Sequence, residues 1–150
     1  DKEARSAMLQ GSLIAGMALA NASVAAVHGL AYPLGARFHI PHGHANALVM
    51  AQVLRFNLPA ASKLYAELAP CLIEDADFSS DEDAAEAFVR RIEAMVLASG
   101  LETRLHELGI TEDSLPEMAE EVFTKIHRLI ESNPRDMTTN DIEAIYRSVF

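Results

Sequence analysis

Thiol, indole and positive charge are scarce in this sequence: Cys71 is the one cysteine in 150 residues and tryptophan is absent. A lone thiol cannot close an internal disulfide, and such cysteine usage suits a reducing compartment, so the expected location is the cytoplasm. Cys71 stands beside Pro70 with no basic neighbour to stabilise a thiolate, which argues against a nucleophile. Lys and Arg number 12 against 22 Asp and Glu, a formal charge of −10. No basic cluster could follow a phosphate backbone, so nucleic acid is excluded as an expected partner. There is no basic n-region before a small-residue cleavage pattern, and hence no export signal. Charge is missing altogether from Gly11 to Ala36. That run has the length of a membrane span, but Asn21, Ser23, His28 and Pro33 and the dominance of Ala and Gly read better as a buried central helix, with no membrane partner. Period-2 alternation, internal repeats, low-complexity tracts, G-x-S-x-G, the P-loop and G-x-G-x-x-G are also absent.

What remains is helix. Half the residues are hydrophobic (50%) and 23% are charged, which suits one globular domain, residues 1–150. Ala, Met and Leu predict a helix from residue 3 to about 31, stopped by Pro33. Pro41 opens a second helix, which runs to Phe56 or Asn57. A further helical segment, Leu58 to Leu72, is expected to be interrupted near Pro59 and ended near Pro70. The acidic run Glu74 to Asp83 reads as a loop leading to a capped start. Ala84, Phe88, Ile92, Met95 and Val96 have helical spacing, with Gly100 after the helix end. A short helix spans Glu102 to Leu108 and ends at Gly109. Ser114 with Glu117, and Thr138 with Asp141, have the spacing of capping boxes before helices over 118–131 and 142–149. The fold class is therefore all-α, with six or seven helices. Asp1 to Met8 reads as helix interior without a preceding cap, which predicts a fragment of a longer protein.

Two histidines carry the chemistry. His28 and His42 flank a Pro/Gly turn inside an uncharged, apolar stretch, where burial keeps imidazole neutral as metal binding requires. His28 falls in the last turn of the first helix and His42 at the N-terminus of the second, where the helix dipole disfavours imidazolium. A helix end, a connection containing Gly35 and a helix start can bring two such rings together as a chelate. Two ligands do not hold a metal, so this is half a site. His39 and His44 read as surface or cleft-rim groups, and His106 and His127 as members of solvated helix faces. Tyr32, four residues after His28, shares its face if the helix persists, and otherwise plugs a helix end. The competing reading is a non-enzymatic helical interaction module with both histidines packed in its core.

Asn21-Ala22-Ser23, Val27-His28-Gly29-Leu30-Ala31, Pro33-Leu34-Gly35-Ala36, Ile40-Pro41-His42-Gly43-His44-Ala45-Asn46-Ala47-Leu48, and Asn133-Pro134-Arg135-Asp136 with Asp141-Ile142 occur in this order. Over essentially the whole chain the sequence resembles the C-terminal helical domain of iron-containing (group III) alcohol dehydrogenases, a dehydroquinate synthase-like C-terminal domain. The resemblance implies a two-domain α/β plus α enzyme whose N-terminal nucleotide-binding domain, absent from this chain, binds most of the NAD or NADP. It implies that His28 and His42 are two of four protein ligands to Fe²⁺ or Zn²⁺, an aspartate and a third histidine coming from upstream. The implied chemistry is hydride transfer between an alcohol or aldehyde and nicotinamide, with the cation as Lewis acid. Many members of the family carry a further histidine where this chain has Tyr32, which leaves a tyrosyl hydroxyl or water as the catalytic proton path. That difference opens the alternative of a hydroxyacid (4-hydroxybutyrate-type) dehydrogenase or transhydrogenase. By the same analogy Leu19 and Val24 line the substrate pocket. An isolated fragment is expected to be inactive and to self-associate through its uncovered face, and the enzyme to be a homo-oligomer.

Overall fold

In the computed structural model, which describes residues 1–74 and 77–150, α1 spans Lys2–Asn21, α2 Ala26–Phe38, α3 His42–Leu68, α4 Asp81–Ala98, α5 Ser114–Lys125, α6 His127–Ile130 and α7 Thr139–Ser148. Two 3-10 turns, Ala69–Cys71 and Leu105–Leu108, complete the order, and no strand occurs among the described residues. Asp75 and Ala76, within the acidic run expected as a loop, lie outside the described residues.

The first helix is not one helix. It divides at Asn21, whose side-chain amide donates back to the Met17 carbonyl at 2.8 Å. Ala22 and Ala25 are both extended, so the chain bends by 107° between α1 and α2. His28 is therefore in the first turn of α2 rather than the last turn of a long helix. Pro33 does not stop α2 but lies inside it. Proline withholds one helix hydrogen bond, and here its ring is fully buried beside Leu30 and Leu34, so packing offsets the loss. Pro59 is likewise carried inside the 27-residue α3. Beyond it, Ala61 and Tyr65 bury against Ala85 and Val89 of α4. At the start of α1, Asp1 Oδ1 accepts from the amides of Glu3 and Ala4, a cap that the sequence reading did not recognise.

The uncharged run was expected to be a buried central helix, and only its α2 half is. No residue of α1 is buried, and Met8, Leu9 and Leu13 are 74%, 74% and 66% exposed. Apolar composition favours leaving water, but burial needs a facing element, and no described element of this chain buries α1.

The core lies where α2, α3, α5 and α7 meet, around Leu30, Leu34, Val49, Val53, Val122 and Tyr146. Gly29 lets α2 come close to the α5–α6 corner: a Cβ there would lie 3.4 Å from Ile130 Cγ2 and 3.6 Å from Leu129 Cβ. The Tyr146 hydroxyl donates to the Leu30 carbonyl at 2.6 Å, and Arg37 pairs with Glu117 at 3.0 Å and Glu121 at 2.7 Å. The helix that carries His28 is thus held from α7 and from α5. Gly100 and Gly109 take positive φ, 74° and 77°, after the helix ends where they were expected. Thr138 and Asp141 form the expected capping box. Ser114 does not: it is the first residue of α5, its N-cap is Asp113, and the 118–131 helix is divided at Ile126.

Candidate metal centre

The link between α2 and α3 is His39-Ile40-Pro41, and Gly35, expected in that link, lies inside α2. His39 closes α2 in the left-handed region (φ 57°), and its amide donates to the Gly35 and Leu34 carbonyls. Pro41 then precedes the first residue of α3, His42. Two helix N-termini, those of α2 and α3, consequently meet, each presenting a histidine.

His28 Nδ1 lies 3.1 Å from His42 Nε2, with ring centroids 5.0 Å apart and planes at 48°. Partial burial pushes the pKa of His28 below its ordinary value, and the facing His42 ring adds to the depression. The neutral, lone-pair form is the one a cation needs. A nitrogen pair 3.1 Å apart suits one transition-metal ion at about 2.0–2.1 Å from each, so the residues present fit an Fe²⁺- or Zn²⁺-type cation. They do not complete its shell. Among the described residues no group of three or more His, Cys, Asp or Glu side chains is placed to hold a metal ion.

Tyr32 is on the helical face of His28, because α2 persists through Pro33. Its ring centroid is 6.2 Å from that of His42, and it is 52% exposed. Leu19, on α1, lines an open cleft of about 430 Å³ together with Ala15, Gly16, Ala22 and His28. Val24, half-buried in the α1–α2 link, is not part of that lining. His39 is exposed, as expected of a rim group. His44 is not a surface group: its side chain is only 10% exposed and its Nε2 is 2.7 Å from the Glu102 carbonyl oxygen, tying the first turn of α3 to the segment after α4. His106 and His127 are exposed, His127 lying 3.6 Å from Glu131.

One group at the centre went unremarked in the sequence. Asn46 Nδ2 lies 3.2 Å from His42 Nε2, while Asn46 Oδ1 is buried and has no hydrogen-bond partner. The available signal was its position four residues after His42 at a helix start, which places both on one face.

This all-helical architecture with a paired-imidazole cleft can be set beside known proteins. Residues 1–150 match the model of the Fe-containing alcohol dehydrogenase family, C-terminal. The chain is 36% identical over 150 residues to long-chain-alcohol dehydrogenase 1 of Geobacillus thermodenitrificans, covering 100% of this chain and 38% of that protein. It is 36% identical over 148 residues to 1,3-propanediol dehydrogenase of Citrobacter freundii, covering 99% and 38%. Among solved structures, an alcohol dehydrogenase from Oenococcus oeni superposes with a TM-score of 0.91 at 31% identity, covering 99% of this chain and 38% of that one. The chain spans 38% of the length of these relatives. It belongs to the iron-containing alcohol dehydrogenase family, as its C-terminal part.

Proposed function

We propose that this chain is the metal-binding helical domain of an NAD(P)-linked alcohol dehydrogenase, interconverting a small alcohol and its aldehyde. The observation that carries this reading is the 3.1 Å approach of His28 Nδ1 and His42 Nε2 from two helix starts. In this reading both imidazoles ligate Fe²⁺ or Zn²⁺, and the remaining ligands and most of the nicotinamide site come from a nucleotide-binding domain outside residues 1–150. When bound, the cation supplies Lewis acidity, polarising a carbonyl oxygen or acidifying an alcohol.

The chain's own residues have narrower tasks. His28 and His42 offer ring nitrogens from a preorganised pair, and the burial of α2 keeps His28 from drifting. Tyr32 presents a partly exposed phenol beside His42, within the region where a substrate hydroxyl proton must be passed to water. Leu19 gives the His28 cleft an apolar wall, while Val24, in the α1–α2 link, lies outside that wall. In the same reading the substrate is a small alcohol or aldehyde, in keeping with the named activities of the relatives, and the active enzyme is a homo-oligomer in the cytoplasm.

The test is His42→Ala in the full-length protein, read by metal analysis and by alcohol-dependent reduction of NAD or NADP. Metal content falling to background together with activity is the expected result. Unchanged metal content removes the reading.

A further inference from the structure

The helix start that presents His42 is weakly made. Its N-cap is Pro41, which has no side-chain oxygen to accept from the first amides, and Gly43 stands in the first turn where a Cβ would meet nothing within 4 Å. An uncapped turn containing glycine is the part of a helix that frays most readily. His42 itself is exposed, so no shell of neighbours fixes its ring, and the place of Nε2 follows the backbone that carries it. Ile40 and Ala45 are buried on either side of this turn. Between them, among the described residues, the turn makes one side-chain hydrogen bond to another element besides the contact of the two imidazoles. His44 Nε2 donates to the Glu102 carbonyl at 2.7 Å, from a side chain only 10% exposed. Glu102 lies in the irregular stretch after α4, and Leu105, three residues on, donates its amide to the Val149 carbonyl at the end of α7 at 2.8 Å. The acceptor that His44 reaches is thus tied to the body of the fold. His44 is two positions from His42, about 200° round the helix, and does not share the face of the imidazole pair.

Resting on the metal-centre reading above, we propose that His44 is a positioning residue of that centre: its hydrogen bond to the Glu102 carbonyl anchors the uncapped first turn of α3 and so holds His42 opposite His28, without His44 touching the cation. The bond acts before the ion arrives, because a ligand already in place need not be ordered on binding.

The experiment titrates metal-free full-length protein with Co²⁺ against a competing chelator for the wild type, His44→Phe, His44→Gln, Glu102→Ala and His42→Ala, each first shown by circular dichroism to be folded without metal. His44→Phe keeps a ring and removes the donor, and its Co²⁺ affinity is expected to fall about tenfold or more, the range typical when a group supporting a metal ligand is lost. His44→Gln restores an N–H donor and is expected to recover most of that loss. Glu102→Ala keeps the carbonyl and is expected to bind as the wild type does. Wild-type affinity in folded His44→Phe, while His42→Ala loses the ion, overturns the proposal and leaves the metal-centre reading standing. An equal loss in His44→Phe and His44→Gln also overturns it, since the donor would then be irrelevant. So does a loss in Glu102→Ala as large as that in His44→Phe, which would assign the effect to the carboxylate 4.0 Å from His44 Nε2. Retention of the ion by His42→Ala removes both readings. If His44→Phe does not fold, His44→Ala takes its place in the comparison.

Discussion

At the scale of single residues, reciprocal hydrogen bonding does more than residue type. Thr138 Oγ1 and N donate to Asp141 Oδ2 at 2.6 and 2.8 Å, and Asp141 N donates to Thr138 Oγ1 at 3.2 Å. The side-chain bond, then the backbone bond, and finally the charge of Arg135 hold the Asp141 carboxyl below its ordinary 3.8, against a smaller opposing effect of burial. Because the folded pKa is depressed, the stabilisation is fully present above 3.8 and is lost as pH falls below that value through the folded pKa. Urea unfolding of the wild type and Asp141→Asn from pH 7 down to pH 2 should show a stability difference that is constant above the ordinary carboxylate range and shrinks below it; a difference independent of pH removes this account. This box was legible because Thr and Asp three apart are a local signal. His44 was not legible, because its partner, the Glu102 carbonyl, is 58 positions away and belongs to the backbone.

Among elements, the decisive terms are long-range, and the prolines show it. Pro33 and Pro59 carry strong local signals for stopping a helix, yet α2 and α3 run through both. Local preference is overridden where the helix on either side is buried against partners: Leu30 and Leu34 before and after Pro33, and α4 along the second half of α3. Arg55 adds an ion pair to Glu93 across the α3–α4 seam. A second tie joins α3 to the segment before α7. Asn57 and Asn133, 3% and 9% exposed, exchange amide hydrogen bonds of 2.9 and 2.7 Å, while Arg135 caps the Phe56 carbonyl at 2.8 Å and stacks 4.0 Å over the Phe56 ring. Asn57→Leu leaves the buried Asn133 Oδ1 without its donor, although Asn133 Nδ2 keeps the Arg135 carbonyl at 2.7 Å, and should cost about 1–3 kcal/mol in chemical denaturation. Adding Asn133→Leu should cost less than the sum of the single changes, since the second removes a group already without its partner. Additive losses would show that the clasp is not a unit. Asn133-Pro134-Arg135 was visible in the sequence as part of a resemblance, but its contact with α3 spans 76 positions and has no local signature.

For the whole molecule, the asymmetry between α1 and the rest governs behaviour. The body is organised around α2, α3, α5 and α7, while α1 leaves Met8, Leu9, Leu13, Ile14, Met17 and Leu19 more than half exposed. Among the described residues no single helix is long and apolar enough to cross a membrane, although the bent α1–α2 pair together has the length and apolar composition. Since no residue of α1 is buried within the chain, deleting residues 1–21 from the isolated chain should change its unfolding free energy by less than about 1 kcal/mol and reduce concentration-dependent association in light scattering. A large loss of stability on deletion would mean that α1 supports the core. The sequence reading placed this segment inside the protein, and the error was one of reference: hydropathy marks a surface that gains by leaving water but does not name the element that covers it.

By itself the sequence determined an all-helical chain, most of its caps, the family resemblance and the choice of two imidazoles as candidates, because periodicity, cap spacing and motif order are local properties of a linear string. Only the tertiary structure decided that two helix starts, rather than an end and a start, bring those imidazoles to 3.1 Å, that prolines are tolerated inside buried helices, and that the Asn46 amide lies 3.2 Å from His42 Nε2. The physical reason is that these outcomes depend on packing free energies summed over residues far apart in the chain, and such sums can exceed the local preferences that a sequence displays.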